Sequence, residues 1–419
     1  MPVHCSDFSF AAYNFIMRSI LFPLAVALTT GLSAQVLTKE DSLNAGLVAS
    51  DRATVISGYG EAKVTYDLKN HTGEANLTRN VLFVGHRFNE KISLFSELEV
   101  EDAKVAGGEP GGEVALEQLF IKFNATRNIY ICGGLLIPRI GITNENHLPT
   151  TFNGCSRNQV ETQVIPATWR ELGVAVYGQC SKLPQLNWSF GIFNGLNSSA
   201  FGGGEGIREG RFEGREATAT NLALTGSLLY YAGNTRIQVS SYFGGSAGLS
   251  PREADSLQMY SGAFGTPVLV NEANVQYFGR GFGFKLMGCM VNIPDADRIN
   301  LAYANNTPEM MYGGYGELSY NLLALKEGST KKCTVFGRYE MLDLNAKMPE
   351  NGIKDDYVHQ SYIVGGVTFQ PVNGVAVKFD YTQRMTGEIN PALQVNPFIN
   401  GAPFYASRGY ASLGIAYSF

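Results

Sequence analysis

The sequence predicts an all-β fold, a transmembrane, antiparallel, up-and-down β-barrel of about sixteen strands, within a range of roughly fourteen to eighteen. Three observations predict it. Segments of about ten residues alternate apolar and polar side chains, the connections between them alternate short and long, and past the N-terminus no apolar run approaches the roughly 20 residues of a membrane helix. Composition agrees, with 48 Gly, 21 Tyr and 25 Phe among 419 residues, because aromatic and small residues suit membrane strands.

The N-terminus has the layout of a secretory signal peptide. Met17-Arg18 precedes an apolar stretch that ends near Leu28, and small residues follow as far as Ala34, a pattern typical of a cleaved leader. We therefore expect residues 1–34 to form a leader cleaved after Ala34, with Met17 as an alternative start. Residues 35–52 would follow as a short periplasmic segment, and residues 53–419 would form the barrel. The alternative is a buried segment of a cytosolic domain.

The strands follow from the alternation of side chains, since neighbouring residues of a strand point to opposite faces. In one such segment Ile237, Val239 and Phe243 alternate with Arg236, Gln238 and Ser240, which gives one face for lipid and one for water. The predicted strands are 53–68, 76–88, 90–102, 113–124, 128–139, 168–179, 184–194, 217–232, 234–244, 267–279, 281–292, 310–322, 331–344, 358–371, 374–386 and 408–419.

The connections between these strands differ in length from one rim to the other. Tight turns occur near 88–90, 125–127, 179–183, 232–234, 279–281 and 371–374. Longer links run over 103–112, 140–167, 195–216, 245–266, 293–309, 345–357 and 387–407. Outer-membrane barrels have short periplasmic turns and long external loops, so we expect both chain ends on the periplasmic rim.

The last strand ends the chain on an aromatic residue. Leu413, Ile415, Tyr417 and Phe419 stand at every second position, which predicts one apolar strand face. This ending resembles the C-terminal strand of Gram-negative outer-membrane barrels. The resemblance implies that Tyr417 and Phe419 form the signal read by the outer-membrane insertion machinery. We expect the strand to close the barrel against the segment around 55–66; the alternative is an edge strand of a soluble sandwich.

The inward faces of the predicted strands carry many charges. A barrel of about sixteen strands is wide enough for a water-filled channel, so charged side chains there would meet water and tune ion preference. The predicted lumen-lining residues are Glu97, Glu99, Arg236, Glu272, Lys285, Glu317, Arg338, Glu340, Lys378, Asp380 and Arg384.

Other classes of site find little support in the sequence. The net charge of −5 is modest, and nothing in it suggests a nucleic-acid partner. After removal of the leader the cysteines are odd in number and widely spaced, so neither a disulfide framework nor a metal site is predicted, although a bond through Cys155 or Cys180 stays open. No catalytic motif is present among the histidines, so we predict no enzyme, no catalytic residues and no cofactor.

The link 140–167, which is the third connection on the long-loop rim, carries a family resemblance. It contains Asn144-Glu145, His147, Pro149, Phe152, Arg157, Val160-Glu161 and Ile165-Pro166, followed by Thr168-Trp169-Arg170-Glu171 and Gly173. In this run the chain resembles the porins of Bacteroidota and the phosphate-selective porin O/P family. The resemblance implies a third loop folded into the barrel, with a constriction formed by Glu145, Arg157, Glu161, Arg170 and Glu171.

The same resemblance implies a porin in the outer membrane, through which ions and small hydrophilic solutes diffuse passively, with homotrimers as the common assembly. The alternatives are an anion-selective or phosphate-selective channel, a surface adhesion barrel, and an outer-membrane enzyme with a site at the rim. Arg170 and Glu171 have a structural alternative as an ion pair. For His147 a gating or metal-binding role stands against a plain polar surface position.

Overall fold

The strands of this protein close into a barrel in which each strand pairs with its neighbours along the chain. The computed structural model describes residues 53–102, 112–202, 204–326, 328–390 and 405–419. Sixteen antiparallel strands lie in this part of the chain, and the last pairs with the first. The predicted all-β, antiparallel up-and-down barrel is confirmed. The predicted leader 1–34 and the segment 35–52, with Met17 and Ala34, lie outside the described residues.

The strands agree with the sequence prediction in number and order. They are β1 (Thr54–Asp67), β2 (Thr72–Arg87), β3 (Ile92–Glu101), β4 (Glu113–Asn124), β5 (Ile129–Leu136), β6 (Glu171–Gln179), β7 (Leu186–Asn194), β8 (Leu222–Ala232), β9 (Thr235–Gly244), β10 (Val268–Gly279), β11 (Phe282–Asn292), β12 (Met310–Asn321), β13 (Lys332–Lys347), β14 (His359–Val372), β15 (Val375–Thr386) and β16 (Ser407–Ser418). The largest differences are at two strand starts. β2 begins four residues earlier than 76, because Thr72 pairs with Asp67 across a tight turn. β8 begins five residues later than 217, because the Asn221 side chain donates to the loop carbonyl of Leu196.

Closure of the barrel follows the predicted pairing. β16 pairs with β1 from Tyr59 opposite Ser418 to Asp67 opposite Tyr410, and the backbone N–H of Phe419 donates to the Gly58 carbonyl. The peptide groups of the last strand are therefore satisfied by the first, and the sheet has no free edge. The start of β1 and the end of β16 lie on the rim that carries the short turns.

The two faces of the sheet differ as the alternation predicts. Leu413 and Ile415 on β16 are 54% and 57% exposed, whereas Ala416 is 1% exposed. On β9, Val239 is 50% exposed and Gln238 is fully buried. Large exposed apolar side chains recur on strands around the barrel. An outer surface this apolar is what a barrel presents to lipid, with polar side chains turned inward.

Short helices occupy the long loops on the other rim. They are α1 (Gln159–Gln163), α2 (Pro251–Leu257) and α3 (Ala296–Tyr303). Ser250 begins α2 with a capping box formed with Glu253, which satisfies backbone N–H groups that a helix start leaves unpaired. Among the described residues no helix has the length and hydropathy needed to cross a bilayer.

The cysteines of the described chain form no disulfide. Cys132, Cys155, Cys180, Cys289 and Cys333 are all free. Cys155, in the third connection on the long-loop rim, is buried, and burial together with the Asp380 carboxylate raises the pKa of its thiol. The sequence left a disulfide through Cys155 or Cys180 open, and in the structure neither residue forms one.

The outward position of Leu413 gives a test of the lipid-facing surface. Leu413 lies in the middle of β16, where an arginine would put a charge in hydrocarbon, so Leu413→Arg should lower the free energy of unfolding by about 2–4 kcal/mol. The measurement is urea unfolding of the protein in lipid vesicles, followed by tryptophan fluorescence.

The matched control is Ile353→Arg. Ile353 lies in the loop between β13 and β14 and is 42% exposed, so its substitution should change stability little. Equal losses in the two variants would contradict a lipid-facing β16.

Candidate functional site

The lumen is occupied by the connection between β5 and β6, residues 137–170, here called L3. Its side chains and peptide groups bond to strands on several sides of the barrel: β9 through Gln238, β12 through Tyr315, β13 through Glu340 and β15 through Lys378. A loop held this way lies across the lumen instead of projecting from the rim.

Lys378 on β15 holds the middle of L3. Its ammonium group donates to the carbonyl oxygens of Pro149, Phe152 and Gly154 at 2.5, 2.9 and 2.9 Å. The residue is 2% exposed, and its ammonium group also lies 3.9 Å from the centre of the Phe152 ring, so L3 supplies the partners of a buried charge. Charge-assisted hydrogen bonds are stronger than neutral ones, and three of them fix the position of this stretch.

A second attachment is made by Glu161 in α1. Its carboxylate accepts from the Thr143 N–H at 2.5 Å and from the Tyr315 hydroxyl at 2.9 Å. Gly141 permits this approach, since a Cβ at that position would lie 2.6 Å from the Glu161 carboxylate and the residue has φ of +85°. Glu161 is fully buried. Any effect of Glu161 on a constriction is therefore exerted through the position of L3.

The wall beside α1 carries a buried ionic cluster. Arg338 contacts Glu317 at 3.1 Å and Glu340 at 2.7 Å, and Lys285 lies 3.6 Å from Glu317. Glu317 also accepts from the Asn153 side chain of L3 at 3.0 Å. Buried charges are tolerated where they are paired and hydrogen-bonded. These side chains, predicted as lumen lining, thus also form part of the support of the loop.

Arginine side chains converge near the first strands. Arg79 on β2 lies 2.9 Å from Glu61 and 3.1 Å from Glu99. Arg170 and Arg211 both contact Glu213, at 3.2 and 3.0 Å. The inner face of the first strands therefore combines acidic and basic side chains.

These groups surround a polar cavity of about 420 Å³ on the loop-side face of L3. Its charged lining comprises Lys63, Arg79, Arg157, Arg170, Arg208 and Arg211 together with Glu61, Glu101, Glu113, Glu209 and Glu213. Among the described residues, no carboxylate lies within 4 Å of the Lys63 ammonium or the Arg157 guanidinium; Lys63 instead donates to the Ser156 hydroxyl at 3.0 Å. This cavity combines water-accessible volume with unpaired positive charge.

The remaining predicted constriction residues lie at separate places. Glu145 pairs with Arg236 of β9 and lies 3.8 Å from Arg139, away from the cavity. Glu171 begins β6 and accepts from the side chains of Asn194 and Trp169. The alternative of an Arg170–Glu171 ion pair is wrong, because Arg170 is drawn to Glu99 and Glu213 instead.

The predicted lumen residues on the other strands also face inward. Glu97, Glu99, Glu272, Glu340, Lys378 and Asp380 are at most 4% exposed, and Arg236, Lys285, Glu317, Arg338 and Arg384 lie on the same inner face. Asp380 accepts from the Cys155 N–H at 2.6 Å, and Glu272 accepts from Asn274 at 2.6 Å. Many of these charges therefore bond to protein groups.

His147 does not occupy the polar surface position that was one of its two alternatives from the sequence. It is 8% exposed, and its Nε2 lies 3.8 Å from carboxylate oxygens of both Glu97 and Glu117. The sequence reading missed Glu117 because a β-bulge interrupts the alternation: Glu97 pairs with Gln118 and Leu98 with Leu116, which leaves Glu117 as the extra residue.

Comparison with known proteins places this architecture among outer-membrane barrels. The Pseudomonas putida OprB structure has a TM-score of 0.56 at 11% identity and covers 93% of this chain and 99% of its own. An anion-selective porin from Comamonas acidovorans has a TM-score of 0.53 at 12% identity, over 87% and 99%. A trimer form of Vibrio cholerae OmpT has a TM-score of 0.50 at 8% identity, over 87% and 99%. At these identities the likeness is one of fold.

Sequence comparison adds a relative without a described activity. An uncharacterized protein of Aquifex aeolicus is 27% identical over 341 residues, which is 78% of this chain and 75% of the relative. No protein-family model matches the chain. The resemblance to the phosphate-selective porin O/P family therefore stays a prediction.

The contacts of Lys378 predict its effect on the loop. Lys378→Met keeps the length of the side chain but leaves three buried carbonyl oxygens without their donor, which should cost on the order of 3 kcal/mol in the free energy of unfolding. L3 should also become sensitive to limited proteolysis in the folded protein, with cleavage sites located by mass spectrometry.

Lys332→Met serves as the control, since Lys332 lies on β13, two strands away from β15, and is exposed. If L3 is as well protected from proteolysis in Lys378→Met as in the unsubstituted protein, then the hydrogen bonds of Lys378 do not hold the loop.

Proposed function

We propose that this chain is an outer-membrane porin, a water-filled channel through which ions and small hydrophilic solutes diffuse passively. The observation that carries the proposal is the polar cavity of about 420 Å³ beside an inward-folded L3. A barrel of this strand number has room for water around such a loop. The apolar outer face and the fold shared with porins support the same reading.

The constriction would be formed where L3 narrows the lumen. Arg157 and Arg170 line the cavity directly, while Glu161 and Glu171 hold the loop and the start of β6 in place. Glu145 would act on the far side of L3, beside Arg236. The channel would select by size and by charge, as charged rings in pores do, and it would need no catalytic group.

Export and assembly complete the proposal. The leader would be cleaved after Ala34, and Tyr417 and Phe419 would be read by the insertion machinery during entry into the outer membrane. Phe419 is 72% exposed at the end of β16, so its ring is available for recognition. A homotrimer is the proposed assembly, supported by the trimer form of one structural neighbour.

Conductance tests the channel directly. Purified protein inserted into a planar lipid bilayer should give stepwise openings whose size scales with salt concentration. A surface adhesion barrel or a rim-site enzyme would insert without such steps, so silent insertion, verified by recovery of protein from the membrane, would overturn the channel.

A second candidate, preference for anions such as phosphate, is favoured by the charge of the cavity. Lys63 and Arg157 lack close carboxylate partners in the described chain, and their positive charges would attract anions entering from the loop side. One structural neighbour is itself described as anion-selective.

Selectivity should therefore respond to these two residues. In a salt gradient, Arg157→Gln and Lys63→Gln should each move the reversal potential toward cation preference, and the double variant should move it further. Arg252→Gln, which removes an exposed charge in α2, is the matched control. An unchanged reversal potential in the double variant would contradict an anion preference that arises from these two residues.

A further inference from the structure

Two buried carboxylates and a histidine meet inside the barrel, next to the arginine-lined cavity. Glu97 on β3 and Glu117 on β4 are 1% and 0% exposed. Ligand-capable atoms of Glu97, Glu117 and His147 all lie within 4.8 Å of one another. Three elements that are distant along the chain therefore bring oxygen and nitrogen donors to one point.

From this geometry we propose that Glu97, Glu117 and His147 form a binding site for a divalent transition-metal cation such as Zn²⁺. An imidazole nitrogen with carboxylate oxygens is a donor set that such cations accept. With bonds of roughly 2.1 Å, two ligands of one ion lie about 3 to 4.2 Å apart. The separations of 3.8 Å from His147 Nε2 to each carboxylate lie inside that range. The full set of three atoms spans up to 4.8 Å, so the carboxylates of Glu97 and Glu117 would move closer together on binding.

Potential metal-ligand atoms in this cluster lack hydrogen-bond partners. Within the described structure, one carboxylate oxygen of Glu97, one of Glu117 and the Nδ1 of His147 are buried without a hydrogen-bond partner. Such atoms are costly to leave unpaired. These oxygens are the Oε1 atoms, whereas the Oε2 atoms lie 3.8 Å from His147 Nε2. A cation bound by both oxygens of each carboxylate would satisfy the Oε1 atoms as well.

The charge balance supports a dication. Within 4 Å of the two carboxylates, the described residues place one cationic group, the His147 imidazole. Arg79 is engaged with Glu61 and Glu99. A protonated His147 would offset one of two buried negative charges, whereas a dication bound by a neutral imidazole offsets both. Arg157 contributes from farther away, donating to the His147 carbonyl at 3.4 Å.

The surrounding residues hold the donors in place. The Tyr59 hydroxyl donates to Glu117 at 2.5 Å, and the Gln118 amide donates to Glu97 at 3.0 Å. Hydrogen bonds to ligating carboxylates orient them toward a metal. The β-bulge at Glu117 is what turns this residue inward beside Gln118, a re-aiming typical of bulges.

An ion could reach the site through a neighbouring cavity. This cavity of about 130 Å³ lies on the turn-side face of L3, and Glu97 and His147 both line it. It has space for water molecules that could complete the coordination. Binding here would tie L3 to β3 and β4, a wall of the barrel that Lys378 does not reach.

Zinc uptake by the full-length folded protein tests the site. After treatment with a chelator, the protein in detergent should bind one Zn²⁺ per chain, measured by elemental analysis after dialysis and by titration calorimetry. Glu117→Gln and His147→Gln should each weaken binding by about 100-fold or more, since even second-sphere changes cost 10- to 100-fold. Glu272→Gln, at another buried lumen carboxylate, should bind as the unsubstituted protein does. Heat-modifiable migration on gels checks that each variant is folded.

X-ray absorption of the zinc-loaded, unsubstituted protein gives a second measurement that depends on no variant. The expected first shell contains nitrogen and oxygen only, with scattering from one imidazole. Sulfur in that shell would assign binding to the free cysteines and overturn the site. Absence of zinc uptake, or full affinity in folded His147→Gln, would overturn it equally.

Discussion

The structure depends on the requirement that peptide groups in a membrane be hydrogen-bonded within the protein. In hydrocarbon no water is available to an open strand edge, so sixteen strands are stable there only if the last meets the first. Pairing of β16 with β1 meets this requirement from Tyr59 to Asp67. Closure in turn creates an interior in which every second side chain of every strand must be accommodated.

That interior combines a buried apolar cluster with charge that the protein pairs internally. The inner face gathers Glu, Lys and Arg side chains, and L3 supplies many of their partners through its peptide groups. Lys378 and Glu161 show the two modes: a strand cation bonded to loop carbonyls, and a loop carboxylate bonded to a strand hydroxyl. The loop is therefore stabilised by the same residues that would tune a channel, and changes in selectivity and stability at these positions are coupled.

The sequence predicted the barrel well because its signal is local. Alternation such as Leu413 against Ser412 depends only on strand geometry and recurs along the chain. The site was less predictable because its partners are distant. Lys378 could be placed inward, but its three acceptors are backbone carbonyls that no side-chain pattern reveals. Glu117 was missed since a bulge breaks the period of two, and Arg79 acquires its role only when Glu61 and Glu99 pair around it.

The attachment of L3 has a consequence for the order of assembly. Lys378 and Pro149 are 229 residues apart in the chain, and contacts of such separation form late because the intervening segment must first be ordered. L3 follows the fifth strand, yet Lys378, which holds it, lies on the fifteenth. The lumen can therefore acquire its final shape only when the barrel is nearly complete.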